Sequence, residues 1–396
     1  MKVLFWVDTF PVFSETFIRD QIVSLLNHEI DVLIHSSDVI KGEDDALKNY
    51  EKYGLLHKKV NINKALQFSK IKRVRNALIL MILSLFKGNF KYYRRALNYK
   101  KYGYKARSLR LLFQVDFILK NNIDVIHAHF GPNGVKASDL KRLGLPIKLF
   151  TTFHGYDIRL GLEKGGNIYE KLFKNSDGVF SISDYNHSKL VAFGCEEKKI
   201  IDLTNGVSTS FFRRKEKVNI EGKVRILSVA RLVEEKALHI AIESVIKQIT
   251  EHIKVKIEYL IVGEGPERKK LQTLIDNYNL TDSIKLLGVK NSNEVRDLMI
   301  NSDMFLLSSI AEALPTVLLE AQASELVILA TDVGNVKKMV KGGLAVSKST
   351  LFKKGMDELL LNRNNWREIG KQGRAYVKNN HDIDILMNEM IEHYGK

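Results

Sequence analysis

At 396 residues the chain is too long for one ordinary domain and divides most naturally into two of about 200 residues each. Hydrophobic residues make up 45%, enough for substantial cores, and the single cysteine, Cys195, excludes an internal disulfide framework and a cysteine-based metal site, which fits a reducing compartment. The formal charge of +16 is concentrated in one stretch, because residues 64–120 carry fifteen Lys/Arg and a single acid, Asp116.

Taken in chain order, Val3-Leu4-Phe5-Trp6-Val7 is too short for the apolar core of a secretion signal and reads as a first buried strand. A helix is expected over 15–27 with Ser14 as its N-cap, followed by a strand near 30–35. The basic segment, about 64–110, interleaves its cations with Leu78, Ile79, Leu80, Met81, Ile82, Leu83, Leu85, Phe86, Phe90, Tyr92, Tyr93 and Tyr104. That mixture suits an element lying on an anionic membrane surface. The alternative is a solvated basic insertion whose apolar face joins the core. No nucleic-acid-binding module accompanies the charge. The longest mainly apolar run, 77–86, has ten residues against the roughly 20 that a spanning helix needs. Strands then follow near 124–128, 147–153, 178–183 and 200–204, with helices near 108–121, 167–175 and 184–193.

Asn205-Gly206 marks a turn, and the polar stretch through Lys223 reads as a linker. A second series has strands at 224–230, 256–262, 284–287, 303–307 and 326–330, separated by helices near 236–250, 266–278, 293–301 and 316–324. The tail from about 351 is helical. Asp382-Ile383-Asp384 opens its last segment and reads as helix N-terminal charge, not as a metal-binding pair. Alternating strands and helices in two series predict an α/β protein of two doubly wound, Rossmann-like domains facing a central cleft.

The densest chemistry lies in the second series. Ser308-Ser309-Ile310-Ala311-Glu312-Ala313-Leu314-Pro315-Thr316-Val317-Leu318-Leu319-Glu320 runs from a strand into a helix, with Pro315 suited to the first turn. Glu312 falls on the loop and Glu320 about one turn inside the helix. The backbone N–H groups of Leu314, Pro315's neighbours Thr316 and Val317 are expected to favour an anion or sugar hydroxyls. A carboxylate, acceptor-only with two oxygens, matches the paired hydroxyls of a ribose or hexose. Upstream, Ala230-Arg231-Leu232-Val233-Glu234-Glu235-Lys236 places Arg231 and Lys236 past the end of a buried strand. Two fixed cations there hold a diphosphate without a metal, and they stabilise the charge that grows on it as a glycosidic bond breaks. Gly263-Glu264-Gly265-Pro266 is a glycine-rich turn open to close approach by a nucleotide.

In the first series, Thr151-Thr152-Phe153-His154-Gly155-Tyr156-Asp157 sets a histidine at a strand end, where a group titrating near neutral pH can donate to a sugar or phosphate oxygen. His127 and His129, two apart on the preceding strand, share a face. No third ligand makes them a metal site, and a structural or acceptor-contacting role for His129 fits better.

Together these residues resemble the retaining glycosyltransferases of family 4, which have the GT-B fold. The resemblance spans almost the whole chain and is densest from Arg231 to Val340. The opening Phe10-Pro11-Val12-Phe13-Ser14-Glu15-Thr16-Phe17-Ile18 is similar to the bacterial branch that assembles exopolysaccharide, capsule and colanic-acid-like polymers. The resemblance implies that Arg231 and Lys236 contact the donor diphosphate, Glu312 the donor sugar and Glu320 the nucleotide ribose. It sets His154 beside the reacting sugar and makes Pro11, Ser14 and Glu15 a loop over phosphates or acceptor, with His129 and Asp157 nearby. It also implies no side-chain nucleophile, no cofactor or metal, and a last helix returned to the first domain. The domains expected are therefore 1–206 plus 376–396 on the acceptor side and 207–375 on the donor side. Where the family prefers glycine this chain has Ala237, Ala313, Glu325 and Asn335, Val327 replaces a usual proline, and Lys337-Lys338 replace a Pro-Glu pair. Such replacements remove close backbone approach or positive φ and reshape the donor pocket.

The expected activity is transfer of a hexose or N-acetylhexosamine from a UDP-sugar, or else a GDP-sugar, to a lipid-linked or oligosaccharide acceptor. The protein is expected to be cytoplasmic and peripheral on the inner face of the cell membrane. The alternatives are a non-catalytic scaffold of the same fold and an enzyme acting on soluble sugars.

Overall fold

The computed structural model describes residues 1–12, 15–37, 50–214, 222–251, 256–312, 314–347 and 352–395. Ser14 and Ala313 lie outside them. The chain forms two compact units, one of residues 1–203 and 389–396, the other of residues 204–388.

The first unit holds a seven-stranded parallel sheet of β1 (Lys2–Trp6), β2 (Asp31–His35), β3 (Lys59–Val60), β4 (Val125–His129), β5 (Lys148–Phe153), β6 (Gly178–Ser181) and β7 (Ile200–Asp202). Their order is β3-β2-β1-β4-β5-β6-β7. The second unit holds β8 (Lys223–Val229), β9 (Lys256–Val262), β10 (Ile284–Leu286), β11 (Met304–Leu307), β12 (Val327–Thr331) and β13 (Gly343–Val346), also parallel, in the order β10-β9-β8-β11-β12-β13. Both sheets start at a central strand, run outward one way, then reverse. Each therefore has a switch point, between β1 and β4 in one and between β8 and β11 in the other. The carboxyl ends of those strands open there for ligands. Strands such as β4 and β12 are buried at every residue, as parallel strands covered on both faces must be.

Among the helices not anticipated are Gly131–Arg142 and Gly155–Lys164. The first opens with Gly131-Pro132-Asn133-Gly134, which in isolation signals a turn. Its glycines serve packing instead, since a side chain at Gly131 would meet the rings of Tyr169 and Phe153, and one at Gly134 would meet Thr151. The short strands β3 and β13 also escaped notice. The first helix spans Thr16–Asn27 with Glu15 at the cap position, the expected cap Ser14 lying outside the described residues, and Pro315 is the cap of its helix, not a first-turn residue. The presumed linker belongs in part to the second unit. Val207 pairs with Asp382, and Arg214 donates to the carbonyl of Ile300 at 2.7 Å and to that of Ser302.

The basic segment is a run of helices between β3 and β4. They are Lys70–Phe86, Phe90–Ala96, Tyr99–Tyr102, Tyr104–Arg107 and Arg110–Lys120. It is tied down by Tyr93 to Asp116 at 3.0 Å, Lys105 to the buried carboxylate of Asp139 at 2.5 Å, and Arg95 to the carbonyl of Leu143 at 2.9 Å.

The chain rejoins the first unit at residue 389, later than the expected 376. The helix Trp366–Asn380 stays with the second unit because Arg374 donates to the carbonyls of Ala323 and Thr209, and because Gly373 packs against the backbone of Gly342. Only the end of the last helix, Ile383–Gly395, crosses over. There Tyr394 hydrogen-bonds through its hydroxyl to Nδ1 of His127, and its carbonyl accepts from Lys148 at 2.9 Å. Tyr394→Phe leaves a buried imidazole nitrogen unpaired, so denaturant unfolding is expected to show a loss of about 1–3 kcal/mol. An unchanged midpoint shows that the terminal turn is not anchored by this bond.

Candidate functional site

The switch point of the second sheet gathers the acidic and basic candidates. The loop leaving β8 carries Arg231 and Lys236, and the loop leaving β11 carries Glu312. Backbone and side-chain bonds lace the two loops together, with the N–H of Ile310 donating to the carbonyl of Glu235 at 2.9 Å and Ser308 Oγ to that of Lys236 at 3.1 Å. Lys236 Nζ lies 2.5 Å from Glu312 Oε1, which also accepts from Ser309 Oγ at 2.6 Å. The side chains of Lys236 and Glu312 are only 18% and 8% exposed. Sequence reasoning gave these two residues separate partners, whereas in the structure they neutralise each other. Arg231 is exposed and, among the described residues, forms no ion pair.

Three glycines set the position of these loops. A side chain at Gly263 would collide with the carbonyl of Ala230, and one at Gly265 with that of Leu232. These glycines admit the turn against the Arg231 loop, and both remain half-exposed. Gly334 plays the same part for Glu312, since at φ +56° its missing side chain would occupy the position of the Glu312 carbonyl. Sequence reading missed Gly334, though a lone glycine just after a buried strand was the available signal. Beyond the loop, Glu320 is buried at the fifth position of the helix Thr316–Ala323. Leu314 and Pro315 are buried, and Thr316 and Val317 are half-buried in its first turn. Of the glycine replacements, Ala237 and Glu325 hold left-handed backbone at φ +42° and +61°, and Asn335 does not, at φ −98°.

In the first unit the histidines form a stack. The rings of His127 and His129 lie parallel at 4.8 Å, and His129 faces His154 at 5.5 Å, with its Nδ1 at 3.2 Å from His154 Nε2. Phe5, Phe17 and Phe130 wall them in, with Phe17 4.6 Å from His154. Burial pushes His127 and His154 down to about 3 and His129 well below its usual range, with neighbouring imidazoles adding to the fall at His127 and His129. All three are neutral at pH 7, so the expectation of a histidine titrating near neutrality is corrected.

Asp157 is likewise not aimed at an acceptor. It is fully buried and accepts the N–H groups of His154 at 2.7 Å, Gly131 at 2.9 Å and Ile158 at 3.1 Å, which pins the loops after β4 and β5 together. Burial still pushes it up to about 7 against those bonds. Pro11 is buried after a cis peptide, and Glu15 is half-buried, raised to about 7 by burial and by Asp8. Among the described residues no group of three or more His, Cys, Asp or Glu is arranged to hold a metal ion.

Two parallel α/β units of this order define the GT-B class of glycosyltransferases. HepE of Anabaena, solved in complex with UDP and glucose, superposes with a TM-score of 0.69 at 13% identity, covering 99% of this chain and 98% of that one. The model for glycosyl transferases group 1 matches residues 210–376, and that for glycosyltransferase family 4 matches 84–211. The putative colanic acid biosynthesis glycosyltransferase WcaL of Salmonella typhimurium is 33% identical over 87% of this chain and 85% of its own length. The amylovoran biosynthesis glycosyltransferase AmsK of Erwinia amylovora is 30% identical over 86% and 85%. The chain belongs to this family of glycosyltransferases.

Gly334→Ala forces the Glu312 backbone aside and strains a left-handed residue, so a loss of about 1–3 kcal/mol in stability is expected, measured by denaturant unfolding. A wild-type midpoint would mean that the Glu312 loop is not held from this side. The histidines give a pH signature. Unfolded His154 binds a proton near 6.5, whereas in the fold it binds one only near 3. Its contribution to stability is therefore complete above 6.5 and is lost as pH falls, at up to about 1.4 kcal/mol per pH unit. Unfolding titrations of wild type and His154→Gln between these limits should differ in slope by that amount, and parallel curves would show that the ring protonates in place.

Proposed function

We propose that this glycosyltransferase moves a hexose or N-acetylhexosamine, with retention of configuration, from a nucleotide-diphosphate sugar to a glycan acceptor in bacterial surface polysaccharide synthesis. UDP is favoured over GDP as the nucleotide, and the acceptor is carried on lipid at the cytoplasmic face of the membrane. The names of WcaL and AmsK support the polymer class, and HepE with UDP and glucose supports the donor class. The observation that carries the reading is the Lys236–Glu312 pair at the switch point, with Arg231 exposed beside it in sequence and Glu320 buried in the following helix.

An entering diphosphate takes Lys236 from Glu312 and recruits the guanidinium of Arg231. The freed Glu312 carboxylate then accepts from hydroxyls of the sugar, and Glu320 from those of the ribose. As the bond from the anomeric carbon to the phosphate oxygen breaks, the two cations meet the charge growing on the leaving diphosphate, and the reading needs no metal there. The acceptor hydroxyl attacks from the face that the diphosphate leaves, and its proton passes to a phosphate oxygen. The amides of Leu314, Thr316 and Val317, beside Pro315, cap the donor's anionic or hydroxyl groups, and Gly263 and Gly265 hold the cation loop. His154 takes part as a neutral hydrogen-bonding group. His129, Pro11, Ser14 and Glu15 serve the acceptor side.

Lys236→Ala and Glu312→Gln are each expected to lower transfer about 10²- to 10³-fold, measured with labelled UDP- and GDP-sugars and an extracted lipid acceptor. Because each residue is the other's counter-ion, the double variant should lose much less than the product of the single losses. UDP should also raise the melting temperature of the wild-type protein by linkage. Undiminished turnover in both single variants removes these residues from the site, and a protein that no nucleotide stabilises is a scaffold.

A further inference from the structure

The helix Lys70–Phe86 has its amphipathicity reversed. Eight large apolar side chains on it are exposed, namely Ile71, Val74, Leu78, Ile79, Ile82, Leu83, Leu85 and Phe86, with Ile71 at 83% and Phe86 at 86%. Only Ala77 and Ser84 are buried. At 100° per residue, Ile71, Leu78 and Ile82 form the centre of the outward face, flanked by Val74, Leu85 and Phe86, whereas a surface helix ordinarily turns such a stripe to the core. The sequence alternative of an insertion whose apolar face joins the core holds for Tyr92, Tyr93, Ala96, Tyr102 and Ala106, which are buried in it, but not for the outward face of this helix. Leu80 and Met81 do pack on the core, but the most apolar face looks out.

The charge around this face is equally one-sided. Lys70, Lys72, Arg73 and Arg75 crowd the first turns, the end of the helix dipole that favours acids, and no acid occurs from residue 64 to 115. Arg73 reaches the carbonyl of Ser108 at 3.4 Å. A second copy of the chain would set these cations against their equals, so self-association through the face is opposed by its own charge. A surface with both an apolar layer and negative charge satisfies the two features at once. The helix has seventeen residues, and no described helix is long and apolar enough to cross a membrane.

We propose that the helix Lys70–Phe86 lies in the plane of an anionic lipid bilayer, with Ile71, Leu78 and Ile82 sunk at the acyl boundary and Lys70, Lys72 and Arg75 on lipid phosphates. This deepens the membrane part of the functional reading by naming the surface and its orientation.

The test is co-sedimentation of the full-length protein with phosphatidylcholine vesicles, with and without phosphatidylglycerol. Wild type is expected in the pellet only with phosphatidylglycerol, and less so as salt rises. Leu78→Ser/Ile82→Ser and, separately, Lys70→Gln/Lys72→Gln/Arg75→Gln should each lower the partition coefficient by at least about tenfold. Both should keep the wild-type melting temperature, because the altered side chains are exposed. Their UDP-induced thermal shift should also stay intact, which separates a failed lipid face from a failed donor site. Wild type remaining in the supernatant with phosphatidylglycerol overturns the proposal, as does equal binding by the variants. A dimer in sedimentation equilibrium that Leu78→Ser/Ile82→Ser dissociates also overturns it, by making the face an interface between copies.

Discussion

Lys236 and Glu312 are the constraint on which the second unit's loops depend. Two charges so far removed from water are tolerable only because each compensates the other, and removing either leaves the other costly. The surrounding features serve this contact: Ser309 adds a second donor to the same oxygen, Ser308 and Ile310 tie the two loops, and three glycines admit backbone against backbone. On the proposed reading, a resting pair of this kind also selects its ligand. A bare phosphate that captures Lys236 strands a half-desolvated carboxylate, whereas a phosphate that brings sugar hydroxyls satisfies both halves. Discrimination for a sugar-bearing diphosphate then follows from the unpaired group that any lesser ligand leaves behind.

The first unit reverses the usual assignment of acid–base groups. Histidine is the side chain that ordinarily titrates near pH 7, but the stack of His127, His129 and His154 is too dry to take a proton there. Burial moves two carboxyls into that range instead. Asp157 is locked to three backbone N–H groups and has no access to solvent, while Glu15 is half-buried at the head of a helix. Of the groups singled out in this unit, Glu15 alone combines a value near neutrality with access. The rings contribute shape and hydrogen bonds.

The alternation of apolar strands with amphipathic helices was enough to read two parallel sheets, because strands buried on both faces leave near-continuous apolar runs. The helix Gly131–Arg142 escaped because it is buried on several sides and opens with turn residues, so neither periodicity nor propensity marks it. That Arg231, Lys236 and Glu312 follow the ends of buried strands was legible from the sequence. The pairing of Lys236 with Glu312 was not, since proximity across 76 positions is a property of sheet order. For the basic segment, charge counting located the surface, and only the three-dimensional burial showed which face of its first long helix looks outward.

The glycine replacements connect these themes. Glycine's advantage is positive φ, and Ala237 and Glu325 adopt it all the same, at a cost of about 1–2 kcal/mol each. Glu325 is followed by β12 and reaches Arg374 at 3.8 Å, so a tertiary ion pair accompanies its strain. Ala237 has no polar side chain to offset its strain. It is buried directly after Lys236, and the peptide that it distorts belongs to the loop fixed by the Lys236–Glu312 pair. Strain and ion pair therefore act on one short segment. On the proposed reading, a donor that dissolves the pair would act on the segment that carries this strain, whereas glycine at this position would carry none.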